Sequence, residues 1–142
     1  MLVAAVEDLQ EHGPDLGWPE ASSLADALID TLSHLLVDLA AGAATPSPRP
    51  QVIGALGAGE GALDAASCRA TAASLWRAGR LMTEAARPGG SSWAGAAGEV
   101  ALDLADLLET TAAQGRAGRL APMHKGPVLR RLHGLRRRLD AL

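Results

Sequence analysis

Leucine spacing is the feature that most constrains what this chain can fold into. Between residues 19 and 41 the large apolar side chains follow one another at steps of four and three: Leu24, Leu28, Leu32, Leu35 and Leu39. This spacing places all five on one face of an α-helix, whereas a half-buried strand would show strict alternation. Gly42 follows where a helix commonly ends. The segment therefore predicts an amphipathic helix with one face in a core.

The same spacing recurs elsewhere and predicts an all-α protein. Helices are predicted over residues 62–87 and 93–114, and a short one over residues 2–12 before Gly13-Pro14. The last helix is predicted to begin at Pro127, because proline suits the first helical position. The architecture expected is a single-domain helical bundle, residues 1–142, with four main helices plus a short N-terminal helix.

Composition adds one expectation about the connection between helices and one about their packing. A connector rich in proline and glycine, residues 42–61, interrupts the helices, since its prolines exclude a helix interior. The 48% apolar content is mostly alanine and leucine, with three tryptophans and neither phenylalanine nor tyrosine. Small side chains let helix axes approach closely, so a tightly packed bundle is expected.

Charge is segregated along the chain. Residues 1–113 carry five arginines against fifteen carboxylates, a net charge of −10, whereas residues 114–142 carry eight basic residues against Asp140, a net charge of +7. The last fourteen residues are "LRRLHGLRRRLDAL". So basic a segment either binds an external anion or packs onto its own chain.

The apolar positions of the last helix favour packing. One stripe holds Val128, Leu132, Leu135, Leu139 and Leu142, which a helix lying only on phosphates would not need. Arg131 and Arg138 flank this stripe on one side and Arg136 on the other. Carboxylates that could receive the flanking arginines recur on the preceding helix at Glu99, Asp103 and Asp106. We therefore expect the basic end to be neutralised largely within the chain.

The arginines of this end are the candidate partner-binding residues: Arg130, Arg131, Arg136, Arg137 and Arg138. They favour a protein partner or self-association. A nucleic-acid-associated regulator is the alternative, but the acidic remainder of the chain opposes approach to phosphates, and purely electrostatic binding falls steeply with salt. We expect weak or no binding of nucleic acid at physiological salt.

An acidic stripe on the first long helix is the candidate metal site. Its members recur every four residues: Asp26, Asp30, His34 and Asp38. Two or three of them could approach a divalent ion, which would suit a small metal-dependent helical-bundle enzyme. Without a second histidine at ligand spacing, a solvated polar face is favoured, and no metal site is assigned.

Other chemical motifs are weak. "GAGEGA", residues 57–62, matches a dinucleotide-binding string but lacks the strand that such a site needs. No cofactor and no catalytic residue are assigned. The single cysteine, Cys68, excludes an internal disulfide and fits a reducing compartment as a small buried residue. No apolar run reaches the ~18 residues of a membrane span, and the acidic start is unlike a secretory leader. A cytoplasmic protein without membrane contact is expected.

The segment "PGGSSWAGAAGEVALDLADLLE" places Trp93-Ala94-Gly95 in a turn between two alanine-rich helices. In this respect residues 62–114 resemble the Trp-x-Gly hairpins of small type VII (ESX-type) secretion substrates. That resemblance implies a hairpin that pairs with a second hairpin in a four-helix dimer. The family's Tyr-x-x-x-Asp/Glu export signal has no counterpart here, because the chain contains no tyrosine.

These observations favour a non-enzymatic helical bundle that acts through protein association, as a regulator or adaptor. The apolar stripes supply its core, and the segregation of charge governs its docking. Homo-oligomerisation is one form that such association would take.

Overall fold

Four α-helices dominate the part of the chain that the structure, a computed structural model, describes: residues 6, 9, 16, 18–42, 63–86 and 92–142. The helices are α1 (Pro19–Ala40), α2 (Ala65–Ala85), α3 (Ser92–Gln114) and α4 (Pro122–Asp140). Within these residues strand-like pairing is confined to isolated bridges between Leu16 and Leu63 and between Arg116 and Arg119. The all-α prediction is therefore confirmed.

Two predicted elements fall mostly outside the described residues: the short helix over residues 2–12 and the connector over residues 42–61. Of the former, Val6 and Leu9 are helical, and Leu9 is buried in the core. The described residues therefore contain four helices with defined bounds, rather than the predicted four plus a short N-terminal helix. Gly42 has a left-handed backbone (φ 74°) and donates its N–H to the Leu39 carbonyl at 3.1 Å, so it ends α1 as predicted.

Helix α1 buries the leucine face that its spacing predicts. Pro19 occupies its first turn, where a missing N–H costs no intrahelical bond, behind an extended Trp18. The buried leucines are Leu24, Leu28, Leu32, Leu35 and Leu36, while Leu39 is half-buried. Thr31 and Ser33 also lie on the buried side, and their hydroxyls donate to carbonyls four residues earlier at 2.9 Å. No buried hydroxyl of α1 is thereby left without an acceptor.

Helix α2 begins at a side-chain cap. Asp64 accepts the Ser67 backbone N–H at 3.0 Å and the Ser67 hydroxyl at 2.8 Å. Because these bonds, the backbone one above all, favour the carboxylate form, they hold the pKa of the Asp64 carboxyl below its ordinary value. The cap defines where the helix starts after the connector.

Helices α2 and α3 form an antiparallel hairpin, the most extensive helix pair in the described structure. Gly79 and Gly98 face each other where the two helices come closest. A Cβ atom on Gly98 would lie 2.8 Å from the Gly79 carbonyl oxygen and 2.7 Å from the Thr83 methyl carbon. Since side chains do not tolerate such distances, glycine is what permits this separation.

Helix α3 is the centre of the fold. It packs against α1, α2 and α4, and it separates α2 from α4, which do not touch. Half of its buried apolar residues are alanines: Ala94, Ala97, Ala101, Ala105 and Ala112. Helices α1 and α2 meet each other at only a few positions. The close packing expected from composition is therefore realised around α3.

Helix α4 begins at Pro122, so the predicted start at Pro127 is wrong. Pro127 lies inside the helix, where it cannot donate a hydrogen bond to the Met123 carbonyl. Pro122 occupies the first turn, where a missing N–H costs no intrahelical bond, and it follows an extended Ala121. Two prolines of this segment thus satisfy the local rule for a helix start, and the helix begins at the first of them.

Gly98→Ala is expected to lower the free energy of unfolding by about 1–3 kcal/mol, because α2 and α3 must separate to admit the methyl group. Urea denaturation followed by circular dichroism measures the change. Gly134→Ala in α4 is the matched control, since the atom nearest to its new Cβ would be the flexible end of Arg137, 3.9 Å away. The control is expected to gain up to ~1 kcal/mol from helix propensity. Equal stability of the two variants would contradict the close approach.

Truncation after Ala121 is expected to unfold the chain or cause it to aggregate. It removes four buried side chains, Val128, Leu132, Leu135 and Leu139, each contributing roughly 1.5–3 kcal/mol before the entropy of ordering the helix is subtracted. Thermal unfolding measures the effect, with the double variant Arg130→Gln/Arg137→Gln as a control that should melt as the wild type does. An unchanged melting temperature after truncation would show that α4 is an independent arm.

Candidate interaction surface

The basic C-terminal helix packs onto its own chain through its apolar stripe. Val128, Leu132, Leu135 and Leu139 are at most 5% exposed, and Leu142 is partly buried against the same core. This confirms the packing expected from their spacing. The arginines therefore lie on the outer and lateral sides of a helix that is packed into the core. What each arginine can bind depends on the residues next to it.

Two arginines on one side of the stripe pair with α3. Arg138 binds Asp103 directly and lies 3.9 Å from Glu99, and Arg131 lies 3.4 Å from Asp106. All of these side chains are 44–71% exposed, so each pair contributes only ~0–1 kcal/mol. The three carboxylates are the ones that the sequence predicts as receptors. They join α4 to α3 at two points along the contact.

The five candidate arginines thus separate into two groups. Arg131 and Arg138 are engaged by α3, and Arg136 lies 3.7 Å from Asp140 on its own helix. Arg130 and Arg137 are exposed and make no ion pair with any other described residue. They follow Met123, 75% exposed, at seven-residue intervals, and so share one outer stripe of α4. The structure does not bring all five arginines to one binding face.

The acidic stripe of α1 faces outward. His34 Nδ1 lies 2.8 Å from the Asp30 carbonyl oxygen and 3.8 Å from its carboxylate, so the two residues interact along the helix surface. Over the described ranges no group of three or more His, Cys, Asp or Glu side chains is placed to hold a metal ion. Val37, 53% exposed, lies on the same outward side of the helix. The arrangement is a charged face with one apolar residue.

Two further motif positions differ in their outcome. Cys68 is fully buried and makes no disulfide, in agreement with the prediction of a small buried residue. The "GAGEGA" string at residues 57–62 lies outside the described residues.

None of the helices in the described ranges is long and apolar enough to cross a bilayer.

The outer face of α2 was missed by sequence reasoning. It carries Trp76, which is 45% exposed, whereas Trp18 and Trp93 are 8% and 7% exposed. Arg69 and Arg80 are exposed at positions seven before and four after Trp76, on the same side of the helix. Between and around them are three exposed alanines, Ala66, Ala70 and Ala73. We call this set of six residues the Trp76 face.

A helical-wheel argument could have found the Trp76 face. The buried residues of α2 include Cys68, Ala72, Leu75 and Met82, at helical intervals. Trp76 lies one residue, or 100°, beyond Leu75, and therefore on the side that carries the arginines. The signal was present, but a tryptophan is so often buried that its position relative to this face is easily overlooked.

The geometry of the Trp76 face suits protein recognition. An aromatic ring flanked by two guanidinium groups offers apolar area and directional donors together, and the small alanines leave room for an approaching helix. Neither Arg69 nor Arg80 makes an ion pair with any described residue. The face is therefore basic, partly apolar and mounted on the tightly packed α2–α3 hairpin.

Asp103 on α3 and Arg138 on α4 are expected to have a small favourable interaction free energy. In a double-mutant cycle of Asp103→Asn and Arg138→Gln, the interaction free energy should be ~0.5–1 kcal/mol at low salt. It should fall toward zero in 1 M salt, where charges are screened within about 3 Å. Urea denaturation of the four proteins measures it. A coupling that is zero at both salt concentrations would mean that the pair does not hold α4 on α3.

Comparison of this chain with protein-family models, with curated proteins and with solved structures finds no match. The resemblance of residues 62–114 to Trp-x-Gly hairpins stays a prediction. Trp93, Ala94 and Gly95 lie in the first turn of α3 rather than in a turn between the helices. Trp93 is buried there, as an anchor of the helix start.

Proposed function

We propose that this chain is a cytoplasmic, non-enzymatic helical-bundle protein that acts through protein association, as an adaptor or regulator. The observation that carries the proposal is the Trp76 face, because a half-exposed tryptophan between two exposed arginines combines the residue types that contribute most at protein interfaces. Location in the cytoplasm rests on the single cysteine alone.

The energetics of Trp76 support a binding role. A tryptophan buries roughly 150–250 Å² when fully covered, so covering the exposed 45% of this one removes about 100 Å² from water and contributes roughly 2 kcal/mol. Tryptophan and arginine are also the residues most enriched at the energetic centres of protein interfaces. A partner that covers the ring and pairs with the guanidinium groups therefore gains from both.

The support beneath the face adds to the proposal. Helix α2 is held on α3 through backbone approach at Gly79 and Gly98, which leaves little freedom for the helix to shift. A rigid face loses less conformational entropy on binding than a flexible one. The Trp76 face is thus organised before a partner arrives.

The nucleic-acid alternative has less support. Three of the five arginines proposed to contact phosphates have carboxylate neighbours within the chain, which leaves Arg130 and Arg137. Two phosphate contacts supply only a small part of the electrostatic attraction on which such binding depends. The metal-dependent alternative gains no supporting observation from the described residues.

Site-specific photo-crosslinking in cells that produce the protein tests the proposal. A benzophenone amino acid replaces Ala73, which is exposed within the Trp76 face, and a control chain carries it at exposed Ala113 on α3. Position 73 is expected to crosslink to a defined protein, identified by mass spectrometry, and position 113 is not. Trp76→Ala in the Ala73 chain should reduce the yield by about tenfold.

Reconstitution then completes the test. The identified protein, or a second copy of this chain if that is what is crosslinked, is purified and titrated with wild type and with Trp76→Ala. Weaker binding by the variant supports the proposal. The proposal fails if position 73 crosslinks to no protein, or to the same set as position 113.

A further inference from the structure

The Trp76 face lies on a continuous exposed side of α2. Its six residues, together with Arg77 and Glu84, are the exposed positions of this helix. At 100° per residue, all of these positions lie within about 120° of one another around the helix axis. The exposed side of α2 is therefore long and narrow, which is a shape that a second helix can cover.

The two halves of this exposed side differ in height. Arg69, Trp76 and Arg80 lie within about 40° of one another around the axis, so their large side chains form a ridge. Beside the ridge lie three alanines at intervals of four and three: Ala66, Ala70 and Ala73. Their methyl groups form a shallow apolar groove, in which a second helix could approach to the short end of the usual 8–10 Å between axes. A helix in this groove would lie against the Trp76 ring.

The charges of the exposed side favour an acidic partner. Between Arg69 and Arg80 the helix carries no carboxylate, and neither arginine makes an ion pair with a described residue. Arg77 is engaged within the chain, since its Nη2 donates to the Ser74 hydroxyl at 3.3 Å. Glu84 lies one turn beyond Arg80 and gives the end of the helix the opposite sign. A complementary surface therefore presents carboxylates to the two arginines.

The spacing of the two arginines indicates how a partner helix would lie. Arg69 and Arg80 are eleven residues apart, which is about 16 Å along the axis of α2 at 1.5 Å per residue. A helix that crosses α2 steeply covers only about its own diameter, 10–12 Å, and does not span both arginines. A nearly parallel or antiparallel helix spans both of them.

A second copy of this chain is a poorer occupant of the Trp76 face. The exposed side of α2 carries three arginines against Glu84, so two such sides placed face to face repel each other. The carboxylates that α3 offers to α4 are engaged by the arginines of α4. On α1, Asp26 and Asp38 have interactions of their own. These observations favour another protein as the source of the complementary charge.

We infer that the partner of the Trp76 face is an acidic amphipathic helix of another protein, packed lengthwise along α2. The inference rests on the proposed function and names the chemistry of its partner. Carboxylates of that helix pair with Arg69 and Arg80, and a large apolar side chain between them packs on the alanines and the Trp76 ring. Single-stranded nucleic acid fits less well, because it stacks on several aromatic side chains along a basic groove, and this face offers one.

Crosslinks from two positions test the lengthwise packing. The benzophenone amino acid replaces Ala66 in one chain and Ala73 in another, and the crosslinked residues of the partner protein are mapped by mass spectrometry. The two crosslinked sites are expected about seven residues apart in one helix that carries carboxylates, because helices laid side by side rise equally per residue. Sites in a strand or a loop, or in a helix without carboxylates, overturn the inference.

Charge reversal with rescue tests the ion pairs. Arg69→Glu/Arg80→Glu should raise the dissociation constant of the purified partner, measured by calorimetric titration, by about tenfold or more, because two attractions become repulsions. Reversal of the partner's carboxylates in the crosslinked helix should restore binding to this variant. Circular dichroism confirms that each variant is folded.

Arg116→Glu/Arg119→Glu is the matched control for the reversal. Both arginines are exposed between α3 and α4, and the change in net charge is the same, so this variant should bind the partner as the wild type does. An equal loss of affinity in the control overturns the inference, because the effect would then depend on net charge alone. Unchanged binding by Arg69→Glu/Arg80→Glu, or the absence of rescue, overturns it as well.

The outcomes separate this inference from the proposed function. If position 73 crosslinks to a protein through a basic or non-helical segment, or to a second copy of this chain, the proposed function stands and the inference fails. If position 73 crosslinks to no protein, both fail. A labelled single-stranded oligonucleotide that binds at ~150 mM salt, and that Trp76→Ala releases, would place nucleic acid on this face and overturn the inference.

Discussion

The close approach of α2 and α3 is the constraint on which the rest of the structure depends. A chain without phenylalanine or tyrosine must bury apolar area by bringing small side chains and backbones together, and Gly79 opposite Gly98 makes this possible. Helix α3 thereby becomes the central helix, packed by α2 on one side and by α1 and α4 elsewhere. Within the described residues, the side of α2 that carries Trp76 is exposed.

The electrostatics of the bundle follow from that arrangement. Because α3 packs directly against α4, the carboxylates along α3 are within reach of the arginines of α4. Each exposed pair is weak, so the buried apolar stripe of α4 contributes most of the energy that holds it in place. The strongly basic last helix is thus an integral part of the bundle, and Arg130 and Arg137 lie on the outer side of that helix.

The proposed function depends on the exposed side of α2. Its tryptophan and arginines belong to a helix whose inner side is immobilised by contacts too close for any residue but glycine. The close contact at Gly79 and Gly98 therefore accounts for the rigidity of the candidate surface.

Much of this fold was determined by the sequence alone, because helical periodicity is a local property. The leucines of α1, the glycine that ends it, the stripe from Val128 to Leu139 and the carboxylates that receive Arg131 and Arg138 all follow from intervals of three and four. What only the tertiary structure decided was which of these faces another helix covers. Helix α4 begins at Pro122 rather than at Pro127, although both prolines suit a helix start, and Trp76 is exposed because the described residues leave its side of α2 partly uncovered. Periodicity orients a residue about its own helix axis, whereas its neighbours are chosen by contacts between segments far apart in the chain.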